Sequence, residues 1–83
     1  MVTAQRQTSD QELAAMAGNL PHLEQLDVMG TRHVTPSGVR ALLNSAERLK
    51  MLDIGYCELL EDGDTLKALK SDFPKCQIVH TFL

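Results

Sequence analysis

Tryptophan is absent from this 83-residue chain, and Tyr56, Phe73 and Phe82 are its only aromatic residues. The side chains that bury most area are therefore scarce, and any core must be assembled from many aliphatic ones. Basic residues are also few: eight Lys+Arg against eleven Asp+Glu leave a net charge of −3. That balance speaks against a sequence-independent nucleic-acid binder, so no nucleic-acid partner is expected. No apolar run approaches the roughly 18 residues that cross a bilayer, so no membrane span is expected. The opening Met1-Val2-Thr3-Ala4-Gln5-Arg6 has no apolar segment of a secretory signal. Two cysteines, Cys57 and Cys76, do not make the disulfide framework of a small secreted domain. They predict a reducing, intracellular setting with both thiols packed as small hydrophobes.

What is present is ordinary globular material, 43 % hydrophobic and 23 % charged, in a length that allows one domain. It is organised by an internal repeat. Leu23-Glu24-Gln25-Leu26-Asp27-Val28 returns 26 residues later as Leu49-Lys50-Met51-Leu52-Asp53-Ile54. The same offset places Leu13 and Met16 under Val39 and Leu42. A looser third copy sets Leu66 and Leu69 one residue further on, followed by Phe73-Pro74-Lys75-Cys76-Gln77-Ile78. Such a period belongs to leucine-rich repeats, with one short strand and one helix per turn.

Two periodicities alternate inside each copy. Leu26 and Val28 alternate with Gln25, Asp27 and Met29, the pattern of a half-buried strand. Val39, Leu42, Leu43 and Ala46 follow the stripe of an amphipathic helix, which Thr35 or Ser37 can cap and Pro36 can open. Asp10-Gln11-Glu12 opens a helix that Gly18-Asn19 stops, and Asp64 or Thr65 opens one that Pro74 ends. The expectation is an α/β leucine-rich-repeat solenoid fragment of about two and a half to three repeats. Its parallel strands fall near 25–29, 51–55 and 77–81, and its helices near 10–18, 37–47 and 64–71. Residues 1–9 read as a disordered N-terminal tail and 10–83 as the repeat segment, whose first helix arrives without a strand before it. Because each turn hides its apolar side only against the next, the chain reads as the tail end of a longer solenoid. The exposed end of that solenoid would favour a homodimer.

The run from Leu23 through Leu26-Asp27-Val28-Met29-Gly30-Thr31-Arg32 to Val39 resembles the cysteine-containing repeats of the F-box/leucine-rich-repeat family. So does Leu49-x-x-Leu52-Asp53-Ile54-Gly55-Tyr56-Cys57, where Cys57 follows the strand as the class requires. Thr31 replaces that cysteine one turn earlier, and Ala46 replaces the second class cysteine. With Leu42-Leu43 and Phe73-Pro74-Lys75, the stretch Leu23–Phe82 is similar to the C-terminal end of a mitochondria-associated member of the family. The resemblance implies the substrate-binding repeats, or the closing cap, of a ubiquitin-ligase substrate receptor, located in the cytoplasm or with mitochondria. In that family the adaptor Skp1 docks on an F-box, which these 83 residues do not contain. The alternative is a leucine-rich-repeat adaptor or assembly factor unrelated to ubiquitin, for instance a mitochondrial one.

The candidate partner-binding residues are Gln25, Asp27, Met29, Met51 and Asp53, which line up on the exposed concave side of the sheet. Neighbouring turns would bring them about 4.8 Å apart as an acidic–thioether strip for a basic protein segment. Alternatively, the recurring aspartates bond loop backbone and serve the fold. Glu58, Glu61, Asp62 and Asp64 read as a solvated turn, since Asp62-Gly63-Asp64 lacks the ligand ladder of a calcium loop. Cys57, Cys76, His33 and His80 lack metal-ligand spacing, and no nucleophile–base pair or phosphate-binding loop occurs. No catalytic residue, cofactor or metal is therefore expected. Thr81-Phe82-Leu83 fits a strand ligand captured by its terminal carboxylate; alternatively Ile78 and Phe82, on one side of a terminal strand, seal the core.

Overall fold

A computed structural model describes residues 2–80 of the chain. Eight short elements alternate: β1 (Val2–Thr3), α1 (Asp10–Asn19), β2 (Gln25–Asp27), α2 (Pro36–Ser45), β3 (Met51–Asp53), a 3-10 turn (Glu58–Leu60), α3 (Gly63–Asp72) and β4 (Gln77–Val79). The strands form one parallel sheet in the order β1-β2-β3-β4. Each helix is thus the crossover between neighbouring strands. Crossovers of one hand place successive helices on the same face of such a sheet.

Burial follows that arrangement. Leu26, Leu52 and Ile78 are register partners and are 0, 0 and 6 % exposed. Their strand neighbours Gln25 and Gln77 are exposed, while Met51, Asp27 and Asp53 are half-buried. One face of the sheet is therefore packed and the other is open. The packed side receives Leu13 and Ala17 from α1, Val39, Leu42 and Leu43 from α2, and Leu69 from α3. Side chains of Val28, Val34, Ile54, Cys57 and Leu60 fill the space under the loops.

The helix starts are chemically explicit. Thr35 caps α2 by accepting from Gly38 N (3.2 Å), with Pro36 in the first turn. Asp62, rather than Asp64 or Thr65, caps α3, accepting from Asp64 N (3.4 Å) and the Thr65 hydroxyl (3.1 Å). The acidic segment that reads as a solvated turn is thus partly a helix start.

The expected α/β architecture, with parallel strands and backing helices, is present. Its edges differ from expectation in two ways. The segment expected to be a disordered tail holds β1, which pairs with β2 through Val2↔Leu26 and Thr3↔Asp27. Ala4 N donates to the Asp27 carbonyl (2.7 Å), and Ala4 and Thr8 are buried. Helix α1 therefore does have a strand before it. A two-residue strand shows no detectable alternation, yet the unfilled edge of β2 supplies a template for it.

The other strands are three residues long rather than five. Asp27 Oδ1 accepts from Met29 N (2.8 Å) and Asp53 Oδ1 from Gly55 N (2.9 Å), turning the chain at once. Pairing nevertheless continues into the loops: Gly30 N donates to the Gly55 carbonyl (2.9 Å) and Ile54 N to that of Val79 (2.8 Å). The expectations that strand four reaches residue 81 and that Phe82 helps to seal the core lie outside the described residues.

Candidate functional site

Two surfaces follow from this frame: the open face of the sheet and the loops at the carboxyl ends of its strands. On the open face, Gln25, Met51 and Gln77 form one row in register, and Asp27, Asp53 and Val79 form the next. Four of the five expected residues, Gln25, Asp27, Met51 and Asp53, are therefore brought together. Met29 lies beyond its strand, 39 % exposed on the loop side.

The two aspartates are not free acceptors. One oxygen of each is committed to the backbone two residues on, the fold-serving role that their recurrence allows. What remains for a ligand is one carboxylate oxygen on each, flanked by amide and thioether groups. This makes a shallow polar strip with hydrogen-bonding capacity and no chemistry of its own.

The loops build something deeper. A groove of ≈ 1080 Å³ lies at the carboxyl ends of β1, β2 and β3. The loop after β1 contributes Arg6 and Gln7, and the loop after β2 contributes Met29, Gly30, Arg32 and His33. The loop after β3 contributes Tyr56, Glu58 and Glu61. Its charge is ordered: the arginines stand on the first two loops and the glutamates on the third. Among the described residues the ion pairs are Arg40–Asp72 (2.7 Å) and Lys50–Glu24 (3.3 Å), so the groove's arginines and glutamates are not paired there.

One backbone feature marks this rim. Gly30 has φ 81° and Tyr56, 26 residues later, has φ 58°. These repeat-equivalent positions require the left-handed region, which glycine enters freely and tyrosine does not. The tyrosine side chain is nonetheless 38 % exposed, so its ring stands at the groove instead of repaying the conformation by full burial. Sequence periodicity misses this site, because its residues sit in loops with no common spacing. A signal exists all the same: the position held by Gly30 in one repeat is an aromatic residue in the next.

Behind the rim, Thr31 and Cys57 are fully buried and in contact, and Cys57 Sγ donates to the Val28 carbonyl (3.0 Å). Burial pushes the Cys57 thiol above its ordinary value of 9.0, although hydrogen bonds from Thr31 and Gly30 pull the other way. Burial likewise raises Cys76. A thiol in that condition is a poor nucleophile near neutrality.

Among the described residues no helix is long and apolar enough to cross a membrane. No protein-family model matches the chain.

Proposed function

We propose that this chain is a leucine-rich-repeat segment that recognises a protein partner, as the C-terminal substrate-binding repeats or cap of an F-box-type ubiquitin-ligase substrate receptor. The observation that carries the reading is the 26-residue register that joins β2, β3 and β4. One residue of each repeat is buried against helices while its neighbours stay on an open face. Repetition of one strand–helix unit is how such proteins present a broad binding surface. The stacking of Thr31 on Cys57 also supports it, since these are equivalent positions where the repeat class places its cysteine.

In this reading Gln25, Asp27, Met51 and Asp53 present amide, carboxylate and thioether groups to a basic polypeptide segment. Met29 extends the strip towards the loops. Binding to Skp1 would belong to an F-box elsewhere in such a receptor. A cytoplasmic or mitochondria-associated setting follows from the same family resemblance.

The test uses the protein that carries residues 23–83. Partner capture is compared before and after Gln25→Lys, Met51→Lys and Gln77→Lys together, changes that repel a basic segment at side chains at least partly open to solvent. Loss of a specific partner supports recognition by the open face; capture unchanged by these substitutions removes that role.

A further inference from the structure

The groove at the carboxyl ends of the strands carries a reading that the open face does not. Along the strand order, a ligand crossing it meets Arg6, then Arg32 and Met29, then Tyr56, and then Glu58 and Glu61. Adjacent parallel strands lie about 4.8 Å apart. The cationic and anionic ends are therefore separated by about 5–10 Å, two or three residues of extended chain. A polyanion such as nucleic acid or a lipid headgroup would satisfy the arginines but meet the glutamates. A polycation would meet the reverse. A polypeptide that carries both charges satisfies both ends.

Between its charged ends the largely polar groove carries two side chains with apolar surface to offer. Met29 is 39 % exposed and Tyr56 is 38 % exposed, two residue types enriched at protein interfaces. The Tyr56 backbone holds a conformation whose strain marks it as a candidate functional position. A buried ring would explain the strain by packing; this one is partly in solvent. The φ of Gly30 shows that the turn after β2 takes the same conformation without an aromatic residue, so the aromatic side chain is an addition to the turn.

We propose that this rim docks an extended protein segment in which an acidic and a basic residue, two or three positions apart, flank one apolar residue. The acidic side chain pairs with Arg6 and Arg32, the apolar one covers Tyr56 and Met29, and the basic one reaches Glu58 and Glu61. This deepens the protein-recognition reading by taking a polypeptide as the ligand, but it places the contact on the loops.

Fluorescence anisotropy of four labelled octapeptides tests it: Glu and Lys flanking Leu at that spacing, one peptide in each chain direction, against all-Glu and all-Lys. The mixed peptide, in at least one direction, binds the folded chain about fivefold or more tighter than either homopeptide. Binding drops by a similar factor in Arg6→Ala/Arg32→Ala and in Tyr56→Gly, and stays within about twofold in Gln25→Ala/Gln77→Ala. Thermal unfolding provides the folding control: Tyr56→Gly melts at or above the parent temperature, because glycine accepts the backbone conformation. Equal binding of the peptides, no binding at all, or a marked drop in melting temperature for Tyr56→Gly overturns the proposal. Loss through Gln25→Ala/Gln77→Ala with the rim variants unaffected overturns it too, and leaves the open-face reading standing.

Discussion

Thr31 Oγ1 lies 3.3 Å from Cys57 Sγ, two fully buried groups 26 residues apart in the chain. Since the Cys57 thiol gives its proton to the Val28 carbonyl, the threonine hydroxyl has the sulfur as its acceptor. Thr31 therefore fills the place of a cysteine in one repeat by bonding to the cysteine of the next. Thr31→Cys is expected to stay within about 1 kcal/mol of the parent, because a thiol can serve as the same weak donor. Thr31→Ala, which leaves a void and an unmet acceptor, is expected to cost about 2 kcal/mol. Urea denaturation of both variants checks the order, and equal loss in the two would refute the hydrogen-bonded account.

Both thiols are pushed above 9.0 by burial, which makes stability depend on pH in a defined direction. Once pH passes the ordinary thiol range, the unfolded chain releases these protons while the folded chain keeps them. The unfolded state then binds fewer protons, and stability falls as pH rises. The contribution of the two thiols is intact below about 8 and declines from about 9 upward. Denaturant midpoints at pH 7 and pH 10 measure the fall, and a Cys57→Ala/Cys76→Ala variant should show a smaller difference. An identical drop in that variant would assign the effect to other groups.

Helices α1 and α2 are tied at their N-termini by a carboxylate. Asp10 Oδ1 accepts from Thr35 N (2.8 Å), and its Oδ2 accepts from the Thr35 hydroxyl. A Cβ placed on Gly38 would collide with Asp10 Oδ1 and its carboxyl carbon. The glycine is thus required by the brace and not by its backbone angle. Gly38→Ala is expected to destabilise by about 2–3 kcal/mol despite alanine's better helix propensity. Asp10→Ala should cost about 1–3 kcal/mol through the lost charged hydrogen bonds. The two are strongly non-additive: in the Asp10→Ala background, Gly38→Ala should cost little or even stabilise. A double-mutant cycle with no coupling would contradict the close approach.

This brace explains part of what the sequence could and could not tell. The period of 26 located three strands and three helices, because buried leucines repeat wherever one turn leans on the next. It located Asp27 and Asp53 on the open face for the same reason. It could not show that Asp10 reaches across to Thr35, since a contact between two helix starts leaves no periodic trace. Strand β1 was hidden by its length, with Val2 and Ala4 too few to alternate visibly. The rim groove was hidden by its origin in three unequal loops. The apolar alternation runs longer than the strands, because Val28 and Ile54 continue it after the aspartates have already turned the backbone.

Leu52 sits between Leu26 and Ile78 in the central buried row and is fully buried. Leu52→Ala removes apolar atoms from both neighbouring layers at once, which costs about 2–5 kcal/mol. With only a few aromatic residues and short strands, a chain of this size has a margin of similar order. The expected result is loss of the cooperative thermal transition near room temperature, whereas Ile54→Val should lower it by only several degrees. Circular dichroism melts distinguish the two, and a Leu52→Ala variant with a near-parental melt would show that the row is not the centre of the core.

Among the described residues the sheet ends in two edges of like-directed strands, β1 on one side and β4 on the other. An edge with unpaired backbone groups invites another strand. Because the two edges differ, β4 of one copy meets β1 of the next, a head-to-tail contact that need not stop at two. The homodimer expected from an exposed repeat end is thus better framed as open-ended stacking. Light scattering should give a mass that rises steadily with concentration from the 9.2 kDa of one chain. The N–H of Ala4 points inward to Asp27, so strand alternation turns that of Thr3 outward, and the Thr3 side chain is exposed. Thr3→Pro therefore removes an outward donor without breaking a bond inside the sheet. It should hold the chain at the single-copy mass while leaving its melting temperature nearly unchanged. A mass fixed at 9.2 kDa for the parent across the series, or growth undiminished in Thr3→Pro, would rule out stacking through this edge.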